Sequence, residues 1–259
     1  MISSWLYPVL FLTGLIAGFV DSIAGGGGLI TIPVLLNLGM APQDALGTNK
    51  LQAAFGSGSA AWNYGRAGLI DFRACVAGIS FTAIGAGLGT WLVIAMGHNE
   101  TGKEVLRQLI PWLIIAIAVY MLLQPKVGEV DLHPRMNAGV FHFVFGLGLG
   151  FYDGFFGPGT GTFWALAYMV LLGFNMTRAT AHTKVMNFTS NVASLGVFLY
   201  EGHANYGAGL CMGAGAWIGA RLGSRTVVKK GVKLIRPVFI VVAVAITARL
   251  LWQNFVKAR

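Results

Sequence analysis

Two aspartates and two lysines interrupt otherwise apolar sequence, and they come in matched pairs. Asp21, in Gly18-Phe19-Val20-Asp21, returns as Asp153 in Gly150-Phe151-Tyr152-Asp153, an offset of 132. Lys50, in Thr48-Asn49-Lys50, returns as Lys184 in His182-Thr183-Lys184, an offset of 134. An ionised side chain at the centre of a bilayer costs at least about 2.5 kcal/mol on insertion scales, so such groups are kept for pairing or for function. The aspartates suit two roles that are compatible with each other. Each can cap a half-helix by accepting bonds from backbone N–H groups, or each can load and release a proton. The lysines suit an anion site, with hydroxyl and amide donors beside each ammonium. Snorkelling, in which the long stem carries the charge to the interface, is the alternative. It explains one lysine well, but not why both copies surround a lysine with Asn and Thr.

The neighbours strengthen the anion reading. Asn187 lies three residues after Lys184 and Asn191 four after Asn187, which keeps all three on one helix face, with Ser190 and Ser194 nearby. The first copy is thinner: Gln52, then Ser57 and Ser59. Single members of such a stripe can equally be interhelical glue, worth about 0.6 kcal/mol each. Glycine-rich breaks follow both aspartates, at 25–28 and 157–161. Four consecutive glycines pack a helix poorly, since each costs about 1 kcal/mol relative to Ala. Broken helices or re-entrant hairpins are therefore expected there, with Gly26, Gly27, Gly28, Gly159 and Thr160 offering backbone N–H groups. The candidate substrate site is Lys50, Lys184, Asn49, Gln52, His182, Thr183, Asn187, Asn191 and these five, with Asp21 and Asp153 holding the breaks.

The elements that must position these residues are apolar segments, five per copy. The first copy has roughly 6–20, 28–39, 44–63, 72–96 and 104–123. The second has 138–152, 160–173, 178–200, 206–224 and 234–252. The chain divides into a repeat over 1–123, a polar linker over 124–137 and a second repeat over 138–259. The chain is 56% hydrophobic and 10% charged, with mean hydropathy +0.70. A soluble domain carries about 25% charged residues, so an all-α polytopic membrane bundle is the expected class.

The net charge of +9 does not point to nucleic acid, because the cations gather in short loops. Arg221, Arg225, Lys229, Lys230, Lys233 and Arg236 crowd one of them. The loop after the third segment is basic in the first repeat (Arg66, Arg73) but not in the second, around Glu201-Gly202-His203. One loop later the asymmetry reverses: residues 97–107 balance Lys103 and Arg107 against Glu100 and Glu104, opposite the six-cation loop. The positive-inside rule then places equivalent loops on opposite faces, which gives inverted repeats with both termini outside the cytoplasm. Lys257 and Arg259 weigh mildly the other way. The N-terminus lacks the positive region of a signal peptide. Cys75 and Cys211 read as buried small hydrophobes. His98, His133, His142, His182 and His203 lack metal-ligand spacing, and no nucleophile–base arrangement supports an enzyme.

The stretch from Ala17 to Pro33, containing Asp21 and Gly25-Gly26-Gly27-Gly28, followed by Thr48-Asn49-Lys50-Leu51-Gln52, resembles the TauE/SafE family of bacterial membrane transporters. Phe151-Tyr152-Asp153-Gly154-Phe155-Phe156-Gly157-Pro158 and Ala179-Thr180-Ala181-His182-Thr183-Lys184 resemble that family's second repeat, closest to its YfcA-like branch. The resemblance covers nearly the whole chain. It implies secondary transport of sulfite or an organosulfonate out across the inner membrane. Neither organic cofactor nor metal is implied. The expected partners are a small anion and the lipid bilayer, with a homodimer left open. A cation or metal permease using the two aspartates as ligands is the alternative, and a non-transporting assembly partner is a third reading.

Overall fold

The structure is a computed structural model that describes residues 4–97 and 131–231. The expected segments at 104–123 and 234–252 lie outside the described residues. So do His98, the charged pairs at 100–107, Lys233, Arg236 and the C-terminal cations. Among the described residues there are eight α-helices, a short 3-10 turn at Ser4–Leu6 and no strand. The helices are α1 (Tyr7–Ala24), α2 (Gly28–Asn37), α3 (Pro42–Arg66) and α4 (Phe72–Gly97). The second half gives α5 (Ala138–Phe155), α6 (Thr160–Leu171), α7 (Met176–Tyr200) and α8 (Tyr206–Lys230).

Local chemistry sets these boundaries. Pro42 opens α3 at a position whose N–H has no helical partner to lose. Asn137, Asn175 and Asn205 cap α5, α7 and α8, accepting from Gly139, Arg178 and Ala208 N–H at 2.8, 2.9 and 3.0 Å. Helices α1, α4 and α5 are long and apolar enough to cross a membrane. Helices α3, α7 and α8, at 25 residues each, are long enough too but carry polar faces. By contrast, α2 and α6 have 10 and 12 residues. At 1.5 Å per residue they reach about 15 and 18 Å, roughly half of a 30 Å hydrocarbon core. They are the two short segments expected from the sequence.

The two halves interlock by exchange, with α1 against α8 and α5 against α4. Small residues let the backbones touch. A methyl group on Gly219 would overlap the carbonyl oxygen of Leu15, and one on Gly85 that of Leu147. Gly223 meets Phe19 and Gly89 meets Phe151 in the same way. These are the same contacts made twice, at the sequence offsets of 132 and 134. Helices α3 and α7 cross at the centre and run antiparallel. The start of α3 meets the α7–α8 turn, where Asn205 N–H donates to Thr48 Oγ1 at 2.9 Å. The turn after α3 meets the start of α7, where Asp71 N–H faces His182 Nε2 at 3.4 Å. Residues 131–137 lie against the α6–α7 turn, with Asp131 accepting from Asn175 N–H at 2.6 Å. An aromatic core of Phe141, Trp164 and Tyr168 seals α5 against α6.

Candidate functional site

Each break turns on glycine, Gly25 directly after α1 and Gly157 one residue past the Phe156 cap of α5. Gly25 N–H closes the last turn of α1 on the Asp21 carbonyl at 2.9 Å. Gly25 and Gly26 then take φ of +81° and +91°, a region side chains rarely adopt. Asp21 thus sits in the last turn of α1 and Asp153 in the last turn of α5, rather than beyond the helices as the apolar segments implied. The two breaks abut. A methyl group on Gly25 would come within 2.9 Å of the Gly161 carbonyl carbon, and Thr162 Oγ1 donates to the Ala24 carbonyl at 3.3 Å.

The central helices bring the lysines to these breaks, each to the opposite repeat. Lys50 Nζ lies 2.7 Å from Asp153 Oδ1 and also donates to the Asp153 carbonyl. Lys184 Nζ lies 3.0 Å from Asp21 Oδ2. The lysines are 1% and 0% exposed, so neither ammonium snorkels to a surface. The aspartates then differ. Asp21 Oδ1 accepts from Gly27 N–H at 3.2 Å and so caps its break. Asp153 spends its second oxygen on the Ser190 hydroxyl instead. Two cations and two anions sum to zero, and in low dielectric each charge depends on its partner.

A cavity of about 40 Å³ lies between the breaks, with room for a few waters or one small oxyanion. Asp21, Gly26, Gly27, Gly28, Asn49 and Gln52 line it from the first repeat. Asp153, Gly159, Thr160, Asn187 and Asn191 line it from the second. Lys50 and Lys184 stand behind the carboxylates, screened by glycines: methyl groups on Gly157 and Gly161 would sit 3.1 and 3.6 Å from the two ammonium nitrogens. Gln52 Oε1 and Asn187 Oδ1 are buried without a partner among the described residues, a hydrogen-bonding capacity a solute or water could use. Asn191 Nδ2 reaches Ser57 Oγ at 3.4 Å, and these two positions are related by the 134 offset.

His182 and Thr183 are not brought to this cavity. The Thr183 hydroxyl is buried and unpartnered among the described residues. His182 packs edge-on to Phe174 at 4.9 Å and places Nδ1 2.9 Å from the Arg178 carbonyl. It lines a separate cavity of about 480 Å³ with His142, Tyr168 and Arg178. Four contributors went unselected in the sequence. Gly157 and Gly161 belong to the glycine break and were legible from it. Ser190 follows Asn187 by three, a helical spacing. Thr31, which donates to Asn49 Oδ1 at 2.5 Å, carried no signal. Where the second repeat supplies Asn187, the first has Ala53 at the equivalent position, so the cavity is chemically lopsided.

Loss of either member of a pair would leave the other as an uncompensated buried charge.

The sulfite exporter TauE/SafE family matches residues 10–250. The chain is 46% identical to a probable membrane transporter protein, ORF9, of Sinorhizobium sp, over 95% of this chain and 92% of that one. It is 45% identical to the probable membrane transporter protein YfcA of Escherichia coli K12, over 98% and 93%. At greater distance it is 26% identical to the probable membrane transporter protein YunE of Bacillus subtilis, over 96% and 98%. No solved structure matches. With α1, α4 and α5 able to cross a membrane, the protein is a helical membrane transporter and not an enzyme, and the chain belongs to the sulfite exporter TauE/SafE family.

Proposed function

We propose that the protein is a secondary transporter that exports a small oxyanion, sulfite or an organosulfonate, across the bacterial inner membrane. The observation that carries this reading is the crossed pairing of Lys50 with Asp153 and Lys184 with Asp21 around one cavity. With both pairs closed the site is neutral. Protonation of an aspartate and arrival of an anion at its lysine each remove the obstacle to the other, so a proton travels with the anion. Efflux of an accumulating anion then follows its own gradient. Antiparallel α3 and α7 support repeats inverted across the bilayer, which makes rocking about α3 and α7 a natural route to alternating access. Both termini would lie outside the cytoplasm.

The test is sulfite and organosulfonate efflux from proteoliposomes with Lys184→Ala. Efflux falls at least tenfold while membrane insertion is unchanged. Undiminished efflux removes the lysine from the mechanism.

A second reading, a cation permease, is favoured by one observation: Asp21 and Asp153 line the cavity while the lysines do not. Against it, no three His, Cys, Asp or Glu side chains converge as a metal site among the described residues. Asp21→Asn and Asp153→Asn would abolish metal uptake in that case and leave sulfonate flux irrelevant.

A further inference from the structure

A second charged concavity lies away from the central cavity, on the outer surface where α3 meets α8. It has a volume of about 170 Å³ and is lined by Ser59, Trp62, Asn63, Arg66, Trp217, Arg221 and Arg225. The helices are fastened beneath it: Ser59 Oγ donates to the Trp217 carbonyl and Asn63 Nδ2 to Ser224 Oγ, both at 2.9 Å. Because α3 and α8 run parallel here, Trp62 and Arg66 lie beside Trp217, Arg221 and Arg225, each series spaced four residues apart. All three arginines are exposed and none has a carboxylate partner among the described residues. Arg221 and Arg225, four apart on one helix, repel each other, and Arg66 adds to the repulsion. Only Arg66 has a local purpose, at the negative end of α3.

The sequence-equivalent helix pair, α4 with α7, packs without such a cluster. At the equivalent positions the other repeat has Tyr200 for Arg66, Gly87 for Arg221 and Trp91 for Arg225. The arginines are therefore a property of one face only. That face also carries Lys229 and Lys230 one turn further along α8. The tryptophans fix the depth. Trp62 is 64% and Trp217 41% exposed, and indole rings of this kind sit at the level of lipid headgroups. A planar guanidinium pairs with phosphate oxygens in two-pronged fashion, which a cluster of three converts into a pocket for one phosphodiester.

We infer that the Arg66–Arg221–Arg225 pocket binds the phosphate of an anionic phospholipid, with Trp62 and Trp217 against the start of its acyl chains. The lipid bridges α3, which carries Lys50, to α8, which packs on α1 and its break. It thereby braces one repeat against the other on the cationic face, whatever the transported solute.

The experiment measures thermal stability of the full chain in detergent during titration with phosphatidylglycerol, phosphatidylcholine or inorganic phosphate. Phosphatidylglycerol raises Tm saturably, and the other two do not. Each single Arg→Gln change shifts the phosphatidylglycerol midpoint about fivefold, and R66Q/R221Q/R225Q about a hundredfold. K229Q/K230Q, which lowers charge on the same face outside the pocket, shifts it less than twofold. Equal stabilisation by phosphatidylcholine overturns the assignment, as does an equal response to inorganic phosphate, which would mark a free-anion site. A K229Q/K230Q shift as large as the arginine shifts also overturns it, since attraction to the whole face would then suffice.

Discussion

Asp153→Asn leaves Lys50 with a partner of the same shape and no charge. Both members of this pair are nearly sealed from solvent, at 1% and 5% side-chain exposure. Removing one partner of a buried pair typically destabilises by about 3–5 kcal/mol, because the remaining charge is left in low dielectric. The amide can still accept from Ser190, so lost packing contributes little. The matching change at Asp21, whose side chain is 23% exposed, should be milder, about 1–2 kcal/mol, because water screens the remaining charge. Reversible unfolding of purified protein in mixed micelles gives both numbers. Lys50→Met with Asp153→Leu then removes both charges and should recover stability to within about 1 kcal/mol of wild type, with transport still lost. The anion provides a second arm. In Asp153→Asn the Lys50 charge is uncompensated, so sulfite at a hundred times its dissociation constant should restore about 2.7 kcal/mol. At the same concentration it should restore less to wild type, where the carboxylate competes. An Asp153→Asn variant as stable as wild type, or an anion that stabilises wild type more than the variant, would refute this.

Gly219→Leu or Gly85→Leu would drive α1 from α8, or α4 from α5, and should abolish folded protein on size-exclusion chromatography. Gly87→Ala, where nothing lies within 4 Å, should be neutral or stabilising by up to about 1 kcal/mol in the same unfolding assay. Ser190→Ala removes the hydroxyl bonded to Asp153 Oδ2 and should destabilise by about 1.5–3 kcal/mol, the range for bonds to charged groups, with Ser190→Thr recovering part of it. Gly25→Ala adds a side chain at φ +81° against Gly161 and should reduce efflux more than membrane abundance, read by transport and immunoblot on the same preparation.

Much of this architecture was legible because membrane helices leave strong traces in sequence. The short segments at 28–39 and 160–173 became α2 and α6, each bounded by the glycines that flagged it. The polar stripe Asn187–Asn191 reached the cavity because helical spacing alone fixes a face. The pairing partners were not legible. Helical spacing puts Lys184 on one face with Asn187 and Asn191, but only the crossing of α3 and α7 over the two breaks decides that each lysine meets the other repeat's aspartate. His182 was drawn into the expected site by its place beside Lys184. Two residues on a helix point about 200° apart, so it faces the aromatic cluster of Tyr168 and Phe174 instead. The unequal aspartates, one capping Gly27 and one held by Ser190, likewise depend on local backbone direction that matched motifs conceal.

In the proposed mechanism an anion reaches a lysine only when that lysine's aspartate is protonated. Lumenal pH recorded in proteoliposomes during flux of a strong-acid sulfonate, which carries no titratable proton near neutrality, tests it directly. About one proton should move with each anion in the same direction, and Asp153→Asn should weaken that coupling. Sulfonate flux with no proton movement, or with protons moving the opposite way, would contradict it.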